Sequence, residues 1–467
     1  MRNTLSVFRI CLLNKASYTP AAMDVKRLLL NTIESRQALV SVVGLGYVGL
    51  PLAVALAQAG FTVVGVDVDE GRVAAVNRGE SYVEDIPSEV LAAVAERLRA
   101  TTNYDVLHRA DVVLICVPTP LSKTKDPDVS YILSAGREIG QRLHPGMLVV
   151  LESTTYPGTT EELLLPTLLD AYSASQGTSM TPLTVGRDFF LAFSPERIDP
   201  GRTDYTLRTT PKVVGGMTPA CREVASALYN TIVDRLVPVS SPRVAEMTKL
   251  LENLFRTVNI ALVNEVAIMC DRLGIDVWEV IEAASTKPFG FMPFYPGPGL
   301  GGHCLPVDPH YLAWKLKSMN YNARFVHLAA EINFQMPAYV VGKIADALND
   351  EGKPVRGSRV LLLGVAYKPN VADTRESPAL EVARLLLAKG ANLAYHDPHV
   401  PAVDVDGQCL ESIPLTAATL AEADCTVVLT NHSAYDWDWI ARHAHLIVDT
   451  RNACRNVRGG AARIVKL

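Results

Sequence analysis

Apolar positions in this chain gather into short, almost unbroken runs separated by amphipathic stretches. Leu39–Val43 is one such run. A glycine-rich turn and an apolar helical stretch through Ala59 follow, and Phe61–Val66 then reads as a strand ending at Asp67. Strands that do not alternate with polar residues are covered on both faces, as in a parallel sheet between helices. The pattern returns at Asp111–Val117, ending at Pro118-Thr119-Pro120, and at Gly146–Leu151, ending at Glu152-Ser153-Thr154-Thr155. Polar clusters thus sit just past strand ends, where open α/β sheets hold ligands.

From about Ser241 the period changes. Arg243–Arg272 contains no proline or glycine and predicts one helix of about 45 Å. Trp278–Ala284 predicts a second helical piece, Lys287–Gly302 a proline- and glycine-rich loop, and Pro309 onward a helix through about Asn333. Arg359–Val365 opens a second α/β unit. Its helix is Pro378–Ala388, its next strand Asn392–Tyr395 leads to His396-Asp397-Pro398, and later strands are Cys425–Thr430 and Leu446–Val448.

Composition narrows the classes. Of the 467 residues 49% are apolar and 20% charged, enough for a large core and two or three domains. The net charge is -5 with no basic block, which argues against a nucleic-acid binder and leaves room for a local anion pocket. The eight cysteines are scattered without a CxxC pair, so a reducing, cytoplasmic setting is expected and a structural metal is not. Leu39–Ala57 is apolar enough to imitate a membrane span. Its spaced glycines and the charged stretch after Val66 favour a buried strand and helix instead, so no membrane insertion is expected. Residues 1–22 lack periodicity and are expected to be a disordered extension, or to precede a true start at Met23.

Gly44, Gly46 and Gly49 form GxGxxG between a strand and a helix, with Asp67 after the second strand. The first glycine suits a tight turn, the second lets backbone approach a pyrophosphate, and the third permits close helix-sheet contact. The helix N-terminus favours phosphate charge. Asp67 is placed for the adenosine ribose hydroxyls and would repel a 2'-phosphate, which favours NAD over NADP. Arg72 either reaches the pyrophosphate or faces solvent, and Tyr47 and Val48 lie within the turn. This predicts an N-terminal Rossmann domain. The C-terminal unit is Rossmann-like but lacks the fingerprint.

Cys304 follows Gly299, Gly301 and Gly302, with Asp308 four residues later. A packed thiol, a metal ligand, a redox switch and a nucleophile are all open readings. Adjacent His303 and Cys304 do not have short zinc spacing, whereas nearby glycines would let amides approach an oxyanion and His303 could favour the thiolate. Asp308 can face the same pocket as Cys304, one helical turn away, and can cap the following helix, and the two roles can coexist. Lys249 and Asn253 share a helix face with Glu246. They suit an oxyanion site, although spacing alone would leave them facing solvent.

At this point the chain resembles the UDP-glucose/GDP-mannose dehydrogenase family over about Leu39–Asn452. The carriers are GLGYVGLPLA at 44–53, CVPTP at 116–120, ESTTYPGTTEE at 152–162, FSPER at 193–197, EMTKLLEN at 246–253, GPGLGGHCLPVDP at 297–309 and GVAYKPNVADTRESP at 364–378. The resemblance implies oxidation of the C6 alcohol of a UDP-sugar to a carboxylate with two NAD. It also implies a homodimer or higher homo-oligomer around the long helix, and domains at 23–235 for NAD, 236–340 for the central helical and catalytic region, and 341–467 for the UDP-sugar. It carries roles over residue by residue. Cys304 is the nucleophile, Lys249 the oxyanion lysine, Asn253 its partner and Asp308 the pocket carboxylate. Thr119 holds the catalytic water, Glu196 serves proton transfer or thioester hydrolysis, and Glu152 lies on the nicotinamide side. Lys368 and Arg375 lie near substrate or the domain and subunit boundary, Lys368 also among the cofactor contacts, and Arg197, Phe294 and Gly301 join the substrate contacts.

Ser194-Pro195-Glu196-Arg197 looks like members acting on UDP-N-acetylhexosamines. Pro288 stands where UDP-glucose members commonly carry an arginine, and Val307 replaces a common lysine. The expected substrate is UDP-N-acetylglucosamine, with UDP-N-acetylmannosamine, UDP-N-acetylgalactosamine and UDP-glucose as alternatives. Two rivals remain: a single-step alcohol dehydrogenase that needs no thiol, and an inactive nucleotide-sensing or structural homologue.

Overall fold

Apolar runs too short for helices became strands, and their two-sided hydrophobicity fixed where they lie. The computed structural model describes residues 24–467 except 84, 123–125, 177–180, 199–203 and 303. The expectations for residues 1–22 and His303 fall outside the described residues. The chain divides into two compact units, one up to Leu250 and one from Leu251 to Leu467.

The first unit contains β1 (Leu39–Val43), β2 (Thr62–Val66), β3 (Leu98–Thr101), β4 (Val112–Ile115), β5 (Leu148–Leu151), β6 (Phe190–Phe193), β7 (Lys212–Gly216) and β8 (Leu236–Val239). They form one sheet in the order β3-β2-β1-β4-β5-β6-β7-β8. All neighbours are parallel except β6 and β7. Val40, Val42, Val112 and Leu114 enter one apolar cluster, while Val43, Val113 and Ile115 enter another. The sheet is therefore buried on both faces, as unbroken apolar runs require. The strand order reverses between β1 and β4, opening a crevice at their carboxyl ends.

In the second unit β9 (Arg359–Leu363), β10 (Asn392–His396), β13 (Cys425–Val428), β14 (Leu446–Asp449) and β15 (Arg463–Lys466) form a parallel sheet ordered β10-β9-β13-β14-β15. β11 (Ala402–Val405) and β12 (Gln408–Glu411) make a hairpin beside it. Val360 and Leu362 face one cluster and Leu361 and Leu363 the other.

The long helix runs from Pro242 to Leu273, and Val277–Ser285 follows it. The single helix expected from Pro309 to Asn333 is two. Asp308–Lys317 ends before Asn320, which takes the left-handed conformation at φ 57°, and Arg324–Asp350 begins anew. The second helix continues through Pro337. Interior proline costs about 3 kcal/mol, and the buried face Met336, Pro337, Val340, Val341 and Ile344 offsets that cost. No helix among the described residues is long and apolar enough to cross a membrane.

Candidate functional site

The turn after β1 explains two of its glycines from within the protein and one from outside. Gly44 has φ +90°, and a Cβ on it would lie 2.6 Å from the Cys116 carbonyl oxygen. A Cβ on Gly49 would lie 1.8 Å from the Gly44 oxygen, so only glycine lets helix Gly49–Gln58 start this close to the strand. Gly46 has nothing within 4 Å of its absent Cβ, so its open backbone has room for an incoming group. No side chain caps the first turn of this helix, which leaves its N-terminus suited to a pyrophosphate. Tyr47 is exposed and Val48 half-buried beside it.

Asp67 is buried. Its carboxylate accepts from Leu45 N at 2.7 Å and Asp69 N at 2.9 Å, and Arg72 Nη1 lies 3.6 Å away. Arg72 also pairs with Asp69 at 3.7 Å and lies over the Tyr82 ring. It is thus turned toward this carboxylate pair. Thr119, half-buried, follows β4 across the crevice.

Glu152, the residue after β5, is buried with both oxygens engaged. Lys212 Nζ donates to Oε2 at 2.8 Å and the Tyr229 hydroxyl donates to Oε1. Burial pushes the Glu152 carboxyl up, against the pull of Lys212. Burial would lower Lys212, but Glu152 and Glu196 outweigh it and raise its proton affinity. Glu196 Oε1 accepts from the amides of Arg197 at 2.6 Å and Ile198 at 2.7 Å. Its Oε2 lies 3.8 Å from Lys212 Nζ. Arg197 Nη1 donates to the Pro211 carbonyl at 2.5 Å. Lys212 escaped sequence reasoning. Its one signal is a charge opening the apolar strand Lys-Val-Val-Gly-Gly.

The long helix carries Glu246, Lys249 and Asn253, all buried, which corrects the solvent-facing expectation from spacing. Glu246 caps the segment at Thr160, accepting from Gly158 N at 2.6 Å, Thr160 N at 3.0 Å and Thr160 Oγ1 at 2.7 Å. Asn253 Nδ2 donates to Asp308 Oδ2 at 2.5 Å. Asp308 is the first residue of its helix, where a carboxylate suits the helix N-terminus, so a place in the first turn and the bond to Asn253 go together. Its amide donates to the Cys304 carbonyl at 2.8 Å, placing Cys304 one turn before it. Cys304 is partly exposed.

The glycines before Cys304 seat its loop against the segment after β9. A Cβ on Gly301 would lie 2.8 Å from Tyr367 Cβ and 3.0 Å from the Glu376 oxygen. Gly302, at φ +87°, would meet the Tyr367 ring at 2.9 Å. Gly302 N donates to the Arg375 carbonyl at 3.0 Å. The Arg375 guanidinium pairs with Asp373 at 2.6 Å, and Lys368 Nζ lies 5.6 Å from the Tyr367 ring centre. Phe294 packs edge-to-face on Phe255 and against the cluster of Val263, Trp278 and Ile281. Arg451, also missed, donates from Nε to the Leu429 carbonyl at 2.9 Å. Its guanidinium lies against the Gly297 backbone, and burial pulls it down to about 10.

Within the first unit the structure brings together the glycine turn, Asp67 and Arg72, and separately links Glu152 to Glu196 through Lys212. Within the second it joins Asn253, Asp308 and the Cys304 loop, and sets that loop on the segment bearing Lys368 and Arg375. Phe294 belongs to a different apolar cluster.

Residues 38–233 match the NAD-binding domain of the UDP-glucose/GDP-mannose dehydrogenase family, 243–335 its central domain and 361–456 its UDP-binding domain. The chain is 39% identical over 366 residues to a UDP-N-acetyl-D-glucosamine 6-dehydrogenase of Pseudomonas aeruginosa, covering 78% of this chain and 84% of that one. It is 38% identical over 432 residues to a UDP-N-acetyl-D-mannosamine dehydrogenase of Salmonella typhimurium, covering 89% and 99%. A solved UDP-D-ManNAc dehydrogenase from Pyrococcus horikoshii superposes with a TM-score of 0.81 at 33% identity, covering 91% of this chain and 99% of that one.

Proposed function

This chain belongs to the UDP-glucose/GDP-mannose dehydrogenase family, and we propose that it oxidises the C6 alcohol of UDP-N-acetylglucosamine to the uronic acid in two NAD-dependent steps. NAD, when bound, accepts a hydride from C6 in each oxidation. Gly44, Gly46 and Gly49 hold its pyrophosphate and Asp67 its ribose, a reading supported by the open backbone at Gly46 and the uncapped helix start.

Our mechanism rests on one observation above others: the Asn253–Asp308 bond one turn from Cys304. Asp308, oriented by Asn253, together with Thr119 and Lys249 manages the C6 hydroxyl proton through a water. Cys304 adds to the resulting aldehyde as a thiohemiacetal, which also prevents its escape. The second oxidation leaves a thioester, and Glu196 takes a proton from the water that hydrolyses it. Lys249 stabilises the tetrahedral oxyanion. Arg451, Lys368 and Arg375 contribute positive charge for the diphosphate, a role supported by the buried Arg451 guanidinium beside Gly297. Exposed Leu251, Phe255, Leu262 and Met269 line one helix, and this stripe fits a second copy of the chain in a homodimer.

The sugar assignment is carried by Ser194–Arg197 and Pro288. UDP-N-acetylmannosamine is the second reading, favoured by the fuller coverage of the Salmonella relative. A panel of UDP-sugars with NAD, read by NADH and product mass, tests both. Two NADH per acid are expected with UDP-N-acetylglucosamine, and one NADH per released aldehyde would sink the mechanism. Cys304→Ala should stop acid formation while nucleotide binding persists; full acid production by it would remove covalent catalysis.

A further inference from the structure

Lys212 is a fully buried cation to which the mechanism above gives no task. Burying an ammonium is costly unless it is paired and hydrogen-bonded, and this one is. Its Nζ donates to Glu152 Oε2 at 2.8 Å and to the Pro195 carbonyl at 3.3 Å, lies 3.8 Å from Glu196 Oε2, and sits 5.0 Å from the centre of the Tyr229 ring. Glu152 is in turn held by the Tyr229 hydroxyl. The same stretch of chain grips its neighbours twice more. Ser194 Oγ donates to the Val213 carbonyl at 2.8 Å, and Arg197 Nη1 to the Pro211 carbonyl at 2.5 Å.

Residues 211–213 thus clamp 194–197 at three points, and only the central clamp sets opposite charges against each other. β6 and β7 pair antiparallel, with Ala192 opposite Gly216 and Phe193 opposite Gly215. Ser194 N still donates to Leu151 O of β5 at 3.0 Å, but Pro195–Arg197 leave the sheet, so their backbone needs partners other than strand hydrogen bonds. Glu196 Oε1 is fixed by two amides of its own turn, which leaves Oε2 facing the ammonium.

We infer that Lys212 is a positioning residue for Glu196: held by Glu152 and Tyr229, it sets the place in which that carboxylate meets the hydrolytic water. The inference rests on reading Glu196 as the hydrolytic carboxylate. In that step water adds to the thioester carbonyl, Glu196 takes its proton, the C–S bond breaks and the Cys304 thiolate leaves. In the mechanism above the proton of the first oxidation passes through Asp308, Thr119 and Lys249 and not through Lys212, so its loss should slow the second stage more than the first.

The experiment mixes enzyme, UDP-sugar and NAD in rapid flow, follows NADH, and reads the acyl-enzyme by intact mass after acid quench. Glu196→Gln is the reference, expected to accumulate thioester. Lys212→Met should slow hydrolysis by about tenfold or more and accumulate the same adduct, with the first NADH phase within about twofold. Lys212→Arg, which keeps the charge, should recover most of the loss. Should Lys212→Met not fold, Tyr229→Phe reads the same inference, with a smaller slowing of hydrolysis alone. Equal slowing of both stages in Lys212→Met, or wild-type hydrolysis in whichever of the two variants folds, would overturn the role of Lys212. If Glu196→Gln accumulates no thioester, the reading of Glu196 falls first, and the assignment to Lys212 falls with it.

Discussion

The turns that open the two α/β units are built alike and finished differently. Gly44 and Gly364 both sit at positive φ, 90° and 80°, and donate to the carbonyl before the next strand's aspartate, Val66 O at 2.8 Å and His396 O at 2.9 Å. Asp67 accepts from Leu45 N and Asp397 from Val365 N, each at 2.7 Å. Each also accepts from the amide two residues on, Asp69 N and His399 N, at 2.9 Å. There the likeness stops. Asp397 further accepts from the Ala366 and Val400 amides and from His432 Nε2 at 3.1 Å. His432 Nδ1 accepts from Asn370 N, so the ring proton sits on Nε2 and points at Asp397. The second carboxylate is saturated by its own protein. After Gly44 a helix starts at Gly49, whereas after Gly364 none starts until Pro378. One turn leaves a helix start open to a nucleotide, and the other serves as an internal brace, with the 365–377 excursion between it and the next helix.

The contrast can be broken most forcefully at the third glycine. Gly49→Ala drives a methyl into the Gly44 carbonyl and should raise KM for NAD by more than about 100-fold, measured by NADH kinetics. Gly364→Ala meets Thr430 at 2.5 Å from a left-handed backbone. It should cost about 3 kcal/mol of stability in denaturant titration while NAD affinity stays unchanged. An equal loss of NAD affinity in both variants would show that the turns do not divide the labour.

A smaller effect follows from acid. Burial would raise the Asp397 carboxyl, but the bonds from His432, His399 and Val365 outweigh it and hold it down at about 2 instead of 3.8. The unfolded chain therefore binds the extra proton between those values. About 2 kcal/mol of stability is complete above pH ~4 and lost as pH falls toward 2. Asp397→Asn should flatten that part of the curve, followed by circular dichroism; an unaltered acid limb would refute the saturated-carboxylate account. Gly46→Ala is the mildest and most selective change. With nothing near its Cβ, the melting temperature should not move, yet KM for NAD should rise on the order of tenfold if a pyrophosphate lies over that backbone.

What could be read from the sequence follows from how far apart the partners lie. The glycine turn was legible because a strand, a tight turn and a helix start are local matters, and the two-sided burial of β1 and β4 was written in their unbroken apolar runs. Lys212 was invisible because its partner Glu152 is 60 residues away in sequence, and no spacing rule joins them. Lys249 read as a surface lysine by helix periodicity, since periodicity reports a helix's own faces and not what the fold lays over them. The break after Lys317 was hidden too. Neither Ser318 nor Met319 is a strong breaker, and the left-handed Asn320 declares itself only in the fold.

The seat of the Cys304 loop has a consequence for the order of events on the ribosome. Gly301 and Gly302 rest on Tyr367, Glu376 and Pro378, a wall synthesised after the thiol itself. A nascent chain that has emerged only through the middle helices carries the cysteine but not the surface that shapes its loop. The geometry around the thiol must therefore be completed late, once the first strand of the last sheet and the excursion behind it are in place.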